Sequence, residues 1–215
     1  VHYFSDGTAE NKAEARRICQ SEIKREPNNR VALARLSELE AQDGNLSLAI
    51  EYLERALKGV ENDSRYAKLM ARLHLMRNEF RDAELTLRKA RDENPKDIQT
   101  LALLTQVLIR MADNLGDVSA NAKLEKRKTA IFKEVEGELI PAMEFLAKES
   151  KENDAVYRSV RALMLMRKGG ESNIREARDS FDVVIDRGMG SSHTSDMMLS
   201  LDMQLNDKEH AEERA

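Results

Sequence analysis

A spacing of 34 residues constrains this chain more than any other feature of it. Ala49 and Ala83 are 34 apart, and so are Leu53 and Leu87, Ala56 and Ala90, Leu36 and Met70, and the turn residues Gly44 and Asn78. One period earlier, Ala15 stands in phase with Ala49 and Cys19 with Leu53, while Pro27, Glu61 and Pro95 share a further phase. A period of this length points to helical hairpins, none of which buries its apolar face alone, so that neighbours stack to make a core.

Composition supports helices and excludes some partners. Charged residues make up 34% and aromatics 4%, with Pro and Gly scarce, which suits helix and starves a β-sheet of the residues it favours. The formal net charge of −4 is of mixed sign and leaves no basic footprint, so nucleic acid is not an expected partner. No apolar run approaches the roughly 18 residues of a membrane span. The single Cys19 falls at an inward helical position and reads as a small buried hydrophobe. Val1 to Gly7 lack the basic-then-apolar layout of a signal segment, and the chain lacks a starting Met. The cytoplasm is therefore one expected location, and the cell envelope or periplasm another if a leading segment has been removed.

In chain order, residues 1–9 read as a lead-in. A half repeat follows at about 9–29, closed by Pro27-Asn28-Asn29, then a repeat at 30–63 with its turn at Asp43-Gly44-Asn45. The repeat at 64–97 takes Ser64 as its predicted N-cap, turns at Arg77-Asn78-Glu79, and ends at Asn94-Pro95-Lys96-Asp97, which caps the next helix. Beyond it the phase slips: Ala177 and Ala211 are again 34 apart, but Ala177 lies 26 residues further from Ala83 than two periods allow. The repeat at 98–153 therefore carries a long inserted helix from about Ser119 to Ser150, with Leu124, Ile131, Val135, Leu139, Ala142 and Leu146 on its apolar side. Pro141 predicts a kink or break. A repeat at 154–191, with helices at about 154–168 and 173–187, is followed by an incomplete one at 192–215 whose second helix starts near Asp207. The whole is expected to be one array.

The positions Leu36, Ala49, Leu53 and Ala56, echoed by Met70, Ala71, Ala83, Leu87 and Ala90 and closed by the Pro steps, resemble the tetratricopeptide repeat. That resemblance implies an all-α, right-handed superhelical solenoid of stacked antiparallel hairpins. It also implies small residues where paired helices cross, and a binding role without a shared chemistry. The large aromatic common early in the family's first helix is absent, its place being taken by Leu33 and Ala67.

Nothing in the sequence assembles an active site, so no enzyme activity, cofactor or metal is predicted. His2, His74, His193 and His210 lack ligand spacing to one another or to Cys19. The run Ser191 to Ser195 reads as capping, the Gly pairs match no phosphate loop, and the many carboxylates read as a solvated face. The expected function is a scaffold that grips a partner peptide or helix on its concave face; the alternative is a helical regulatory or sensor module of a larger multidomain protein. By phase, the inward positions of the first helices are Val31, Ala34 and Glu38, then Arg65, Lys68 and Arg72, then Gln99, Ala102 and Gln106. The partner-binding set is Arg65, Lys68, Arg72, Gln99, Gln106 and Glu38, and its cationic row suits an acidic or carboxylate-bearing peptide. The chaperone-tail clamp of some tetratricopeptide proteins is not expected, because Ala34 and Glu38 stand where its Lys and Asn would be. With Met197, Met198, Leu201 and Leu205 near its end, the chain is further expected to be a slice of a longer array, self-associating through a chain end or the 119–150 helix.

Overall fold

The computed structural model describes residues 9–58, 63–116, 121–190 and 192–212, all helix and short connections. The lead-in predicted at 1–9 lies almost wholly outside the described residues, as does Ser191. The helices are α1 (Ala9–Arg25), α2 (Arg30–Gln42), α3 (Leu46–Leu57), α4 (Ser64–Met76), α5 (Phe80–Glu93), α6 (Ile98–Asn114), α7 (Ala122–Glu134), α8 (Ile140–Ala147), α9 (Lys151–Lys168), α10 (Glu171–Asp186) and α11 (Ser192–Glu212). No strand occurs among the described residues, and none of their helices is long and apolar enough to cross a membrane. The chain divides into two compact units, residues 1–95 and 96–215.

In the first unit α1 to α5 pack as consecutive antiparallel neighbours. The 34-residue phase marks where they touch: Ala49, Leu53, Ala56, Ala83 and Leu87 are all fully buried. Small Ala side chains let the backbones of a hairpin approach closely, and the Leu beside them fills the space between. One cluster joins Leu33, Ala49, Ile50, Leu53, Ala56, Met70 and Leu73, and a second joins Cys19, Ala32 and Leu36. Burial pushes the Cys19 thiol up, which keeps it neutral and unreactive, as a packing role requires.

The same period appears in the polar groups that end the helices. Asn29, Asp63 and Asp97, each 34 apart, cap α2, α4 and α6 by accepting from the backbone N–H of Ala32 (3.1 Å), Arg65 (3.0 Å) and Gln99 (3.1 Å). The cap of α4 is thus Asp63 and not Ser64, which lies inside the first turn. Gly44 (φ 83°) and Asn78 (φ 61°) occupy the left-handed region at equivalent turns, one because it has no Cβ and the other because Asn tolerates the conformation. A side-chain clasp spans each turn: Asn45 Nδ2 donates to Glu40 Oε2 at 2.8 Å, and one period later His74 Nδ1 meets Glu79 Oε2 at 2.8 Å.

In the second unit the inserted helix does not break. Between α7 and α8, Val135–Leu139 form a π-turn, and Ile140 donates to the carbonyl of Val135 five residues back. Pro141 sits in the first turn of α8, where its missing N–H costs least. The wider turn also keeps the buried side in line. Ile131, Val135, Leu139, Met143 and Ala147 are buried at a strict spacing of four, which in an unbroken α-helix would drift around the axis by about 40° per step. Met143 therefore faces inward, and Ala142, expected there, is exposed.

The helix predicted at 154–168 starts earlier, at Lys151, because Ser150 accepts from the Asn153 N–H at 3.1 Å. The loop at Gly169–Ser172 reduces to Gly169 and Gly170, both at positive φ, and α10 begins at Glu171. α11 runs unbroken from Ser192 to Glu212, through the point where a second helix was expected to begin at Asp207. Its apolar residues are not left open. Leu201 and Leu205 are buried in a cluster with Ala162, Leu165, Ile174, Ala177 and Phe181, and Met197 and Met198 pack against it; Leu199 and Met203 are the exposed pair.

Candidate functional site

The predicted cationic row lies on α4, but one member of it is already engaged. Arg65 donates to both carboxylate oxygens of its own helix cap, Asp63, at 3.1 and 2.8 Å, and its guanidinium lies over the Tyr66 ring at 5.9 Å. These hydrogen bonds hold the Asp63 carboxyl below the usual carboxylate range. Lys68, half-buried one turn further on, is engaged as well, and Arg72 is exposed. Glu38 is paired with Arg35 at 2.6 Å, also within one helix.

The pairing of Asp63 gives a direct test. Its carboxylate is favoured in the folded state, so its contribution is complete above the unfolded value near 3.9 and is lost as pH falls through the lower folded value. Asp63→Ala is expected to cost about 0.5–2 kcal/mol at neutral pH, with a deficit against the parent that shrinks near pH 3. Asp63→Asn should hold most of the stability, since Asn29 does the same task one repeat earlier. Urea titrations at the two pH values read both effects.

In the second unit Gln99 is exposed near the α6 cap and Ala102 is buried, contrary to its expected inward-facing place. Gln106, by contrast, lines a hollow of about 710 Å³. It is lined by α6 (Gln106, Ile109, Arg110, Asp113), α9 (Ser159, Leu163, Met166, Arg167), Phe181 of α10 and the start of α11 (Thr194, Met197). Arg167 pairs with Asp113 and lies 4.9 Å from the centre of the Phe132 ring, so that α7 helps to fix it. Arg110 is exposed and has no ion-pair partner among the described residues. Leu163, Met166 and Met197 make part of the lining apolar, and Arg110 and Arg167 make part of it cationic. Sequence reasoning stopped at Gln106. One helical turn along the same face stand Ile109 and Arg110, and a second turn reaches Asp113, but the α9 side is separated from them in sequence by the insertion.

A smaller hollow of about 330 Å³ in the first unit is lined by Leu57, Ala67, Met70, His74 and residues of α5. It opens beside Ala67, one of the two positions where the family resemblance leads one to expect a large aromatic. His74, Glu79 and Asp82 bring ligand-type atoms within 4.8 Å of one another there. The His74–Glu79 contact repeats the Glu40–Asn45 clasp, and Arg77 holds the other Glu79 oxygen at 2.9 Å, so hairpin closure accounts for the group.

Comparison with known proteins agrees with this architecture. Residues 9–73 match the tetratricopeptide repeat family, and the chain as a whole carries that family's all-α hairpin fold. It resembles the structure of PilF from Pseudomonas aeruginosa with a TM-score of 0.58 at 15% identity, covering 92% of this chain and 84% of that one. It also resembles a thermophilic tetratricopeptide protein from Thermus thermophilus, with a TM-score of 0.54 at 15% identity and coverage of 83% and 90%. No curated protein matches the sequence. Proteins of this family are generally protein–protein interaction scaffolds.

Proposed function

We propose that the chain is an interaction scaffold that holds an acidic peptide or helix against the first helices of its hairpins, with no reaction of its own. The observation that carries this reading is the hollow lined by α6, α9 and α11. It has the volume for one or two large side chains, an apolar lining from Leu163, Met166 and Met197, and the exposed Arg110 among its lining residues. A peptide presenting Leu or Phe next to Asp or Glu matches that chemistry. Gln99 and Gln106 supply neutral hydrogen-bonding groups on α6, and Lys68 and Arg72 on α4 are a separate candidate contact in the first unit. Self-association through the inserted helix is a separate property from peptide capture.

A peptide array varying acidic and apolar positions, followed by titration of the best binders, tests the reading. Arg110→Glu, and separately the pair Lys68→Glu and Arg72→Glu, are each expected to weaken binding about tenfold or more with helicity unchanged. Affinity should fall as salt rises. Binding that ignores Arg110→Glu and salt alike would remove the hollow from the proposed site.

A further inference from the structure

The inserted helix segregates its charge along its length. Residues 122–133 carry Lys123, Lys126, Arg127, Lys128 and Lys133 against the single acid Glu125, and residues 134–149 carry Glu134, Glu136, Glu138, Glu144 and Glu149 against the single base Lys148. Most of this charge is exposed on the side opposite Ile131, Val135, Leu139 and Met143. The packing inside the unit uses little of it: Glu136 meets Lys168 at 3.1 Å and Lys128 reaches the Gly116 carbonyl at 3.4 Å. Lys123, Lys126, Arg127, Lys133, Glu138, Glu144 and Glu149 have no ion-pair partner among the described residues.

Two further features lie on the same outer side. Phe145 is 67% exposed. Gly137 stands in the π-turn near the middle of the helix, exposed, and a Cβ added to it would meet nothing within 4 Å. Glycine inside a helix costs about 1 kcal/mol against alanine, and nothing within the chain requires it here. A bare backbone in mid-helix is where a second helix approaches closest.

We propose that this helix is a self-pairing surface, on which two copies of the chain meet antiparallel about a two-fold axis within a turn of Gly137, basic half against acidic half. A helix with opposite charge in its two halves is complementary to its own reverse, and a two-fold axis satisfies both ends at once. The register that sets Lys133 opposite the partner copy's acidic Glu138 position also sets Lys126, one outer-face position earlier, within reach of that of Glu144. It brings Lys126 to the exposed Phe145 ring as a cation–π contact. Isolated exposed ion pairs are weak, so the dimer depends on the whole row and dissociates as salt screens it. The inference does not rest on peptide capture, which uses the other hollow and other residues.

Sedimentation of the full chain at low and high salt tests it with two charge-reversal variants, Lys126→Glu with Lys133→Glu, and Glu138→Lys with Glu144→Lys. The wild type is expected to dimerise at low salt and to separate at high salt. Each variant alone should dimerise at least about tenfold more weakly, because like charges then face each other along the row. An equimolar mixture of the two should recover the dimer, since each presents a row of one sign to the other. Should a double variant lose helicity, Lys133→Gln and Glu138→Gln, which remove charge without reversing it, carry the same comparison. A wild type that stays monomeric at low salt, or variants that dimerise like the wild type, or a mixture that stays monomeric, overturns the proposal.

Discussion

Replacing Leu53 with alanine is expected to destabilise the first unit by about 2–5 kcal/mol, the largest effect of any single change considered for this chain. Leu53 is fully buried, and its cluster takes Leu33 and Ile50 on one side and Met70 and Leu73 on the other. The side chain therefore bridges two hairpins, and truncation leaves a cavity that neither can close. In a stack where each hairpin is stabilised by its neighbours, the loss should be local first. Hydrogen exchange should quicken across α2, α3 and α4 while α9 and α10 keep their protection, and the urea midpoint of the first unit should fall. An unchanged midpoint would show that Leu53 does not join the hairpins.

The second large effect has the opposite geometry. Leucine at Ala83 is expected to cost about 1–3 kcal/mol, because a fully buried methyl would be replaced by a branched chain with no space to enter. Ala177, equally buried in the second unit, should respond in the same way. The pair distinguishes a crossing from an ordinary core site, where added volume is sometimes absorbed. Differential scanning calorimetry of both variants gives the answer, and a midpoint matching the parent for either would mean that its hairpin does not cross at that alanine.

Much of this was legible before any coordinates, for a physical reason. A period written in Ala and Leu records how closely two backbones approach, and that distance is the same in every hairpin, so Ala49, Ala83 and Ala177 could be placed from sequence. The caps carried the period too, at Asn29, Asp63 and Asp97, but Ser64 is an equally competent cap residue by type, and only the chain's path chooses between neighbours. The π-turn was not legible. Pro141 announces a disturbance of the helix, but whether the backbone kinks or takes in an extra residue depends on keeping Val135, Leu139 and Met143 against α6 and α9. The unbroken α11 is not legible either: Ala211 matches the phase and Asn206 is of the same type as the turn residue Asn78, yet the helix continues through both.

The candidate site was less legible than the fold. Charges on α4 could be counted, but the claim of Asp63 on Arg65 depends on a cap whose position was misassigned by one residue. The hollow of the second unit is assembled from three helices separated by the insertion, and no spacing in the sequence connects Arg110 with Met166. Self-complementary charge on α7 and α8, by contrast, is written plainly in residues 122–149. It is visible only once those residues are known to form one continuous rod with a shared outer face.

The insertion also sets an order of events in time. Helices α1 to α5 each pack on the next in sequence, contacts that a chain can find by closing short loops, and such folds form quickly. In the second unit α6 packs against α9, with α7, the π-turn and α8 between them. That contact waits until the intervening rod has formed and folded back, since loop closure must precede the burial that rewards it. Rapid-mixing measurements should therefore show an early phase from the first unit and a later one from the second. Until α9 arrives, the rod that we propose meets a second copy is covered by α6 alone, and during that interval the part of its stripe around Met143 is open to whatever chaperone or neighbouring chain reaches it first.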